Sequence, residues 1–209
     1  MALKTFVKIN SVNNLSDARY CAGMYVHLMG FSLEKYDKNY LSPDKFKELT
    51  DWLSGVEYVA EFQTAHPGNI LEIIKDYPGM TYIQIQEKAH LQMLVNTNYP
   101  MILAQEIRNV DDILQLIAIV PSIKDYDVTL LLNGNFSKLP PEFIPHIRAL
   151  AEEARVLLGF GIHVDTVEEL LEQTKVKGIA LSGGDEIKPG FKDFDDLADI
   201  LELLEKEED

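Results

Sequence analysis

Short β-rich runs alternate with segments of helical period along the whole 209-residue chain, and the alternation completes eight rounds. The strand-like runs are TFVKIN, VHLMGF, EYVAEF, TYIQIQ, PMILAQ, VTLLLN, RVLLGF and GIALSG. Between them lie patterns such as SPDKFKELTDWL, NVDDILQLIAIV and PEFIPHIRALAEEA, and DFDDLADILELLEKE closes the series. Most of the runs are too apolar for a half-exposed sheet, as expected of parallel strands covered by helices on their outer face. The spacing predicts helix starts near Ser16, Ser42, Asn109 and Asp165, with Pro43 suited to a first helical position. Eight βα rounds in this length fit an α/β fold, a single-domain (β/α)8 TIM barrel over residues 1–209, near the lower size limit for that architecture. An open doubly wound sheet is the alternative. No linker or low-complexity segment divides the chain.

Charge narrows the partners. Nineteen Lys and Arg against 34 Asp and Glu leave a net charge of −15, a field that repels nucleic acid and anionic membrane surfaces alike. There is no run of 18 apolar residues and no leader-like charged and apolar start, so neither a membrane span nor a signal peptide is expected, and a cytoplasmic location is. The one cysteine, Cys21, falls inside the first helical pattern and reads as a buried, inert thiol of a reducing compartment. The five histidines are scattered: His27 within the second strand run, His66 and His90 before helices, His146 on the sixth helix, His163 after the glycines of strand seven. None pairs at the i, i+4 spacing of a helical zinc site, so the expectation is no metal and no cofactor.

In a barrel the chemistry belongs at the C-terminal strand ends and the loops that follow. Strand seven ends in LLGFGIHVDTVEEL and strand eight in ALSGGDEIKPGF, which places Gly159, Gly161, Ser182, Gly183 and Gly184 on neighbouring βα turns. Glycines there let backbone N–H groups approach an anion, so this corner is the expected phosphate site, with His163 beside it. The other strand ends carry amides: Asn10, Gln63, Gln84, Gln86, Gln105 and Asn133. Such a row offers hydrogen bonds but no proton to transfer near neutral pH. Glu61, Glu87 and Glu106 are the carboxylates at or near strand ends. Glu61 reads first as half of a structural ion pair, and Lys8 as its partner or as a ligand contact.

These motifs resemble the phosphoribosylanthranilate isomerase family of tryptophan biosynthesis over nearly the whole chain. VKINSVNNLSDA follows the family's VKICGITNLEDA, DKNYLSP its SPRYVSP, IQIQE its VQLHG, LGFGIHVDTV its LAGGLNPENV, and SGGDEIKPGFKD its SGVETSPGVKD with one residue inserted. The resemblance implies a barrel that binds a phosphorylated small molecule, and it leaves a homodimer or a protein partner open. It places Asn10 at the position of the general-base cysteine, Ser11 at that of the adjacent glycine, and Asn133 at that of the general-acid aspartate. Asn39 stands where the family has the arginine that grips the anthranilate carboxylate, while Lys8 and Gln84 keep the family's lysine and glutamine as substrate contacts. The family's GGTG loop after strand six has no counterpart in NGNFSKLPPEF. Replacing a proton donor and a proton acceptor by amides removes two roles, each worth roughly 10²- to 10⁴-fold in rate. The resemblance therefore implies a barrel of isomerase ancestry with little or no isomerase activity. The alternative is an active isomerase, of the same or a related sugar phosphate, in which Glu61 or Glu106 serves as substitute acid or base.

Overall fold

A computed structural model describes residues 2–182, 186–188, 191–192 and 195–206. Strands β1 (Phe6–Asn10), β2 (Leu28–Ser32), β3 (Glu57–Glu61), β4 (Met80–Ile85), β5 (Met101–Glu106), β6 (Val128–Asn133), β7 (Arg155–Leu158) and β8 (Gly178–Ser182) pair in chain order, and β8 returns to β1 to close the barrel. All of these pairings are parallel. Helices α1 (Leu15–Gly23), α2 (Pro43–Thr50), α3 (Pro67–Ile74), α4 (Lys88–Leu94), α5 (Val110–Ile123), α6 (Ile144–Glu153), α7 (Val167–Thr174) and α8 (Asp195–Leu203) each follow their strand. A short antiparallel pair, β9 (Glu186–Lys188) and β10 (Phe191–Lys192), stands between β8 and α8.

The eightfold alternation in the sequence is thus an eightfold closed barrel, and the boundaries move by only a few residues. One shift matters at each of three places. Helix α1 is capped by Asn14, whose side chain accepts the Asp17 N–H at 2.9 Å, rather than by Ser16. Asp165 likewise gives way to Thr166 as the α7 N-cap, without a side-chain bond, whereas Ser42 and Asn109 cap α2 and α5 as the sequence suggests. His27 lies just before β2 and not within it; its Nδ1 accepts the Val7 N–H at 3.2 Å and its ring stacks on Phe6.

Two cores follow from the two-residue period of the strands. Val7, Ile9, Met29, Phe31, Leu130 and Leu132 belong to the large core between sheet and helices. Their neighbours of opposite parity, including Leu28, Val59, Ile102, Leu131 and Leu157, form a separate cluster that fills the barrel interior. Each such side chain stabilises the fold by roughly 1.5–3 kcal/mol when fully buried. Continuing the interior parity upward reaches Asn10, Ser32, Glu61, Glu106, Asn133 and Ser182 at the C-terminal ends of their strands. The apolar filling therefore ends beneath a polar layer, and that layer is where a ligand can be received.

Candidate active site at the barrel mouth

The polar layer lines a cavity of about 340 Å³, within the size range of small-molecule sites. Register fixes the neighbours around the ring: Asn10 beside Ser182, Ser32 beside Glu61, Glu61 beside Gln84, and Glu106 beside Asn133. All of these line the cavity, together with Ser11, Asp37, Gln63, Gln86 and Gly159.

Beneath the rim, Lys8 is fully buried and its Nζ lies 2.5 Å from Glu61 Oε1 and 2.5 Å from Asn10 Oδ1. Glu61 Oε2 accepts both the N–H of Ser11, at 3.0 Å, and its Oγ–H, at 2.8 Å. The Asn10 amide nitrogen donates to Ser182 Oγ at 3.3 Å. One continuous chain of bonds thus runs Ser182–Asn10–Lys8–Glu61–Ser11. Burial holds the Lys8 pKa below the ordinary lysine value, and the Glu61 carboxylate opposes that shift. Glycine at position 30 leaves the room: a Cβ there would stand 1.8 Å from Glu61 Oε1 and 2.9 Å from Lys8 Nζ. Ser11 has φ +50°, a left-handed conformation that costs a non-glycine residue roughly 1–2 kcal/mol. Its two bonds to Glu61 hold it there. Lys8 and Glu61, each open to two readings in the sequence, are partners in a buried ion pair, and Glu61 lines the cavity as well.

The opposite side of the mouth is less occupied. Glu106 and Asn133 make no side-chain hydrogen bond among the described residues, although both line the cavity. Gln84 is 7% exposed, and its amide oxygen has no hydrogen-bond partner among the described residues. A buried acceptor left unpaired costs about 1–3 kcal/mol. Asp37 Oδ2 accepts from Gln63 Nε2 at 2.7 Å and its Oδ1 from the Asn39 N–H at 2.7 Å. Glu34, buried after β2, gathers the N–H groups of Gln63, Thr64 and Ala65 at 2.6, 3.1 and 2.7 Å and so fixes the loop that carries Gln63 over the mouth.

Of the residues singled out in the sequence, Asn10, Gln84, Asn133, Gly159 and Ser182 meet in this one cavity. Asn39 is not among its lining residues; its amide oxygen accepts from Asn13 Nδ2 at 3.1 Å. Gly159 and Gly161 part company. Gly159 faces the mouth, while Gly161, at φ +67°, lies against the β6–α6 loop, where a Cβ would meet Leu139 N at 2.6 Å. His163 Nε2 pairs with the Ser137 carbonyl of that same loop. Gly183 and Gly184 lie outside the described residues. Cys21 is buried in α1, and desolvation pushes its thiol up to about 12, so it takes no part in the chemistry of the mouth. Ser32, Asp37 and Glu34 were not singled out in the sequence. Interior parity along LMGFS identifies Ser32, but only the folded loops bring in Asp37 and Glu34.

A closed parallel barrel with a polar cavity at the C-terminal strand ends defines a (β/α)8 protein, and in enzymes of that fold the C-terminal face is where the active site lies. Among curated proteins the chain is similar to N-(5'-phosphoribosyl)anthranilate isomerases. It is 25% identical over 202 residues to that of Nitrosomonas eutropha, covering 94% of each chain, and 23% identical over 216 residues to that of Gloeothece citriformis, covering 96% of this chain and 94% of the relative. Solved structures of phosphoribosyl anthranilate isomerase share the fold. That of Thermotoga maritima superposes with a TM-score of 0.77 at 20% identity, covering 96% of this chain and 98% of the other. One in complex with reduced 1-(o-carboxyphenylamino)-1-deoxyribulose 5-phosphate superposes with a TM-score of 0.76 at 20% identity and the same coverage. No protein-family model matches the chain. Among the described residues, no helix is long and apolar enough to cross a membrane.

Proposed function

We propose that this protein is a divergent phosphoribosylanthranilate isomerase-like barrel that binds a phosphorylated sugar-type ligand in its mouth and has little or no isomerase activity. The observation that carries the reading is the state of Asn10: its carbonyl oxygen is held by Lys8 and its amide nitrogen by Ser182, so the position that resemblance assigns to the base is filled by an amide that takes up no proton near neutral pH and is engaged on both sides. Asn133, at the position of the acid, is also an amide. Glu61 is in line with the same reading, because its carboxylate is already engaged by the Lys8 ammonium and by two Ser11 donors. Gly159 and Ser182 on the rim support a phosphate at the β7–β8 side, with Gln84 as a contact to the rest of the ligand; Gly183, next in the chain after Ser182, is the further position in the proposal.

One observation favours a second reading. Glu106 pairs in register with Asn133 and makes no side-chain hydrogen bond among the described residues, so a carboxylate stands next to the acid position. Turnover of phosphoribosylanthranilate by the purified protein separates the two. On the first reading the wild type is silent, and the Asn10→Cys, Asn133→Asp double variant gains at least about a hundredfold. Wild-type turnover at about 1 s⁻¹ or faster, lost in Glu106→Gln, establishes the second instead. The cytoplasm, and a second copy or another protein as partner, complete the proposal; light scattering reads the assembly state.

A further inference from the structure

We infer that Glu34 is a positioning residue of the mouth: it docks the β3–α3 turn onto the β2–α2 loop, so that Gln63 and Asp37, one from each, meet a ligand as a preset unit. The inference deepens the phosphosugar reading above and rests on it only for the choice of probe. Glu34 is 4% exposed and uses both carboxylate oxygens: Oε2 accepts the N–H of Gln63 at 2.6 Å, and Oε1 accepts those of Thr64 and Ala65 at 3.1 and 2.7 Å. Three successive backbone N–H groups turned on one anion form a nest. Helices α1, α2 and α5 draw on acceptors beside them, the side chains of Asn14, Ser42 and Asn109. Helix α3 also has a local cap, His66, whose Nδ1 accepts the Gly68 N–H, so the Glu34 bonds serve the turn before the helix and not the helix itself. Their acceptor comes from the neighbouring loop, 29 to 31 positions earlier in the chain.

The loop that carries Glu34 is itself firm. The Asp37 N–H donates to the Glu34 carbonyl at 2.9 Å, the Tyr40 N–H to the Asp37 carbonyl at 3.0 Å, and the Leu41 N–H closes the loop on the Ser32 carbonyl at 3.0 Å. Two more of its side chains reach the same turn: Tyr36 Oη bonds Thr64 Oγ1, and Asp37 Oδ2 accepts from Gln63 Nε2 at 2.7 Å. An ionised carboxylate only accepts, so the nitrogen of the Gln63 amide is the atom that faces Asp37. Asp37 Oδ1 takes the Asn39 N–H at 2.7 Å, and a path of bonds thus runs from Glu34 through Gln63 and Asp37 to Asn39. Gln63 and Asp37 line the cavity and Glu34 does not, so Glu34 acts on a ligand through them. Side chains held in place before binding spare the ligand the cost of ordering them.

Glu34→Gln tests the inference, because it keeps the shape of the side chain but offers one acceptor oxygen where two are used. In the free protein, amide hydrogen exchange at Gln63, Thr64 and Ala65 is expected to quicken about tenfold, and at Asn39, which the change reaches through Gln63 and Asp37, about threefold. Gln63→Ala, at an exposed side chain, is expected to quicken Asn39 alike. In calorimetry with ribose 5-phosphate, Glu34→Gln and Gln63→Ala are each expected to weaken binding about tenfold, and the double variant to lose no more than about twofold beyond Gln63→Ala alone. Additive losses, unchanged affinity in Glu34→Gln, or an Asn39 amide that neither variant moves overturns the inference and leaves the phosphosugar reading standing. If ribose 5-phosphate does not bind the wild type, that reading falls and exchange alone decides: joint loosening at Asn39 upholds the positioning role, and an unmoved Asn39 sinks it. Should Glu34→Gln not fold, Glu34→Asp, which keeps the charge but shortens the reach, takes its place with the same pattern expected at smaller size.

Discussion

The arc of the mouth from β8 through β1 to β3 differs from the arc formed by β5, β6 and β7. In the first, five side chains from Ser182 to Ser11 form an unbroken run of hydrogen bonds around a buried ion pair. In the second, Glu106 and Asn133 face the same cavity with no side-chain hydrogen bond among the described residues. The polarity of the first arc is therefore structural, and the polarity of the second is free to act on a ligand. Two polar arcs of one barrel mouth can serve unlike purposes, and the bonding of their side chains tells them apart.

Glycine substitutions probe the difference most strongly. Gly30→Ala drives a methyl into the Lys8–Glu61 pair, and breaking a buried pair costs about 3–5 kcal/mol. Gly159→Ala, in the second arc, sets a Cβ 2.8 Å from Asn133 Oδ1 and 3.0 Å from the Leu132 carbonyl, an overpacking of about 1–3 kcal/mol because the Asn133 side chain is free to turn. Urea unfolding of both variants measures the gap. Equal losses would mean that the ion pair gives the first arc no special rigidity.

The sequence discloses the barrel well because its signal is repeated: eight apolar runs of alternating parity each bury one face against helices and the other in the interior, so an error at one boundary leaves the count intact. The mouth is legible only in part. Asn10, Glu61 and Asn133 fall at strand ends, where any βα reading places them, but the Lys8–Glu61 contact joins strands two apart across Gly30. Nothing local in VKIN or YVAEF specifies that closure. Asn39 and Asp37 lie on a loop whose course depends on contacts with Asn13 and Gln63, so their order in DKNY does not tell which of them reaches the cavity. His27 reads as a strand residue from VHLMGF, yet the Val7 N–H holds its ring just outside the strand.

Ser11 sharpens the comparison at a smaller energy. Both it and Lys175, the C-cap of α7, hold left-handed backbones, with φ of +50° and +55°. Glycine relieves that strain, so Lys175→Gly is expected to stabilise the protein by about 1 kcal/mol. Ser11→Gly gains the same relief but loses the Oγ–Glu61 hydrogen bond, worth about 1.5–3 kcal/mol to a charged group. The net is a loss of about 1 kcal/mol, and the difference between the two variants, read from denaturant midpoints, isolates that bond. A Ser11→Gly protein as stabilised as Lys175→Gly would show the hydroxyl to be idle.

Titration gives the smallest effect and the most direct test of which arc is closed. Burial keeps the folded-state pKa of Lys8 below the 10.5 of an ordinary lysine, with Glu61 pulling against it. Below the folded value both states hold the proton, and the cost of burying the ammonium is fully present. Between that value and 10.5 the unfolded chain binds the proton that the folded one has released, so this group makes stability rise with pH. Tyr58, Tyr77 and Tyr82, whose pKa values burial raises above 10.0, act in the opposite sense at higher pH and must be subtracted. A Lys8→Met, Glu61→Leu variant retains those tyrosines and lacks the pair. The stability of the wild type relative to this variant is therefore expected to increase from pH 8 to 10. A flat line would mean that burial does not penalise the Lys8 ammonium, and the contrast between a closed and an open arc would be lost.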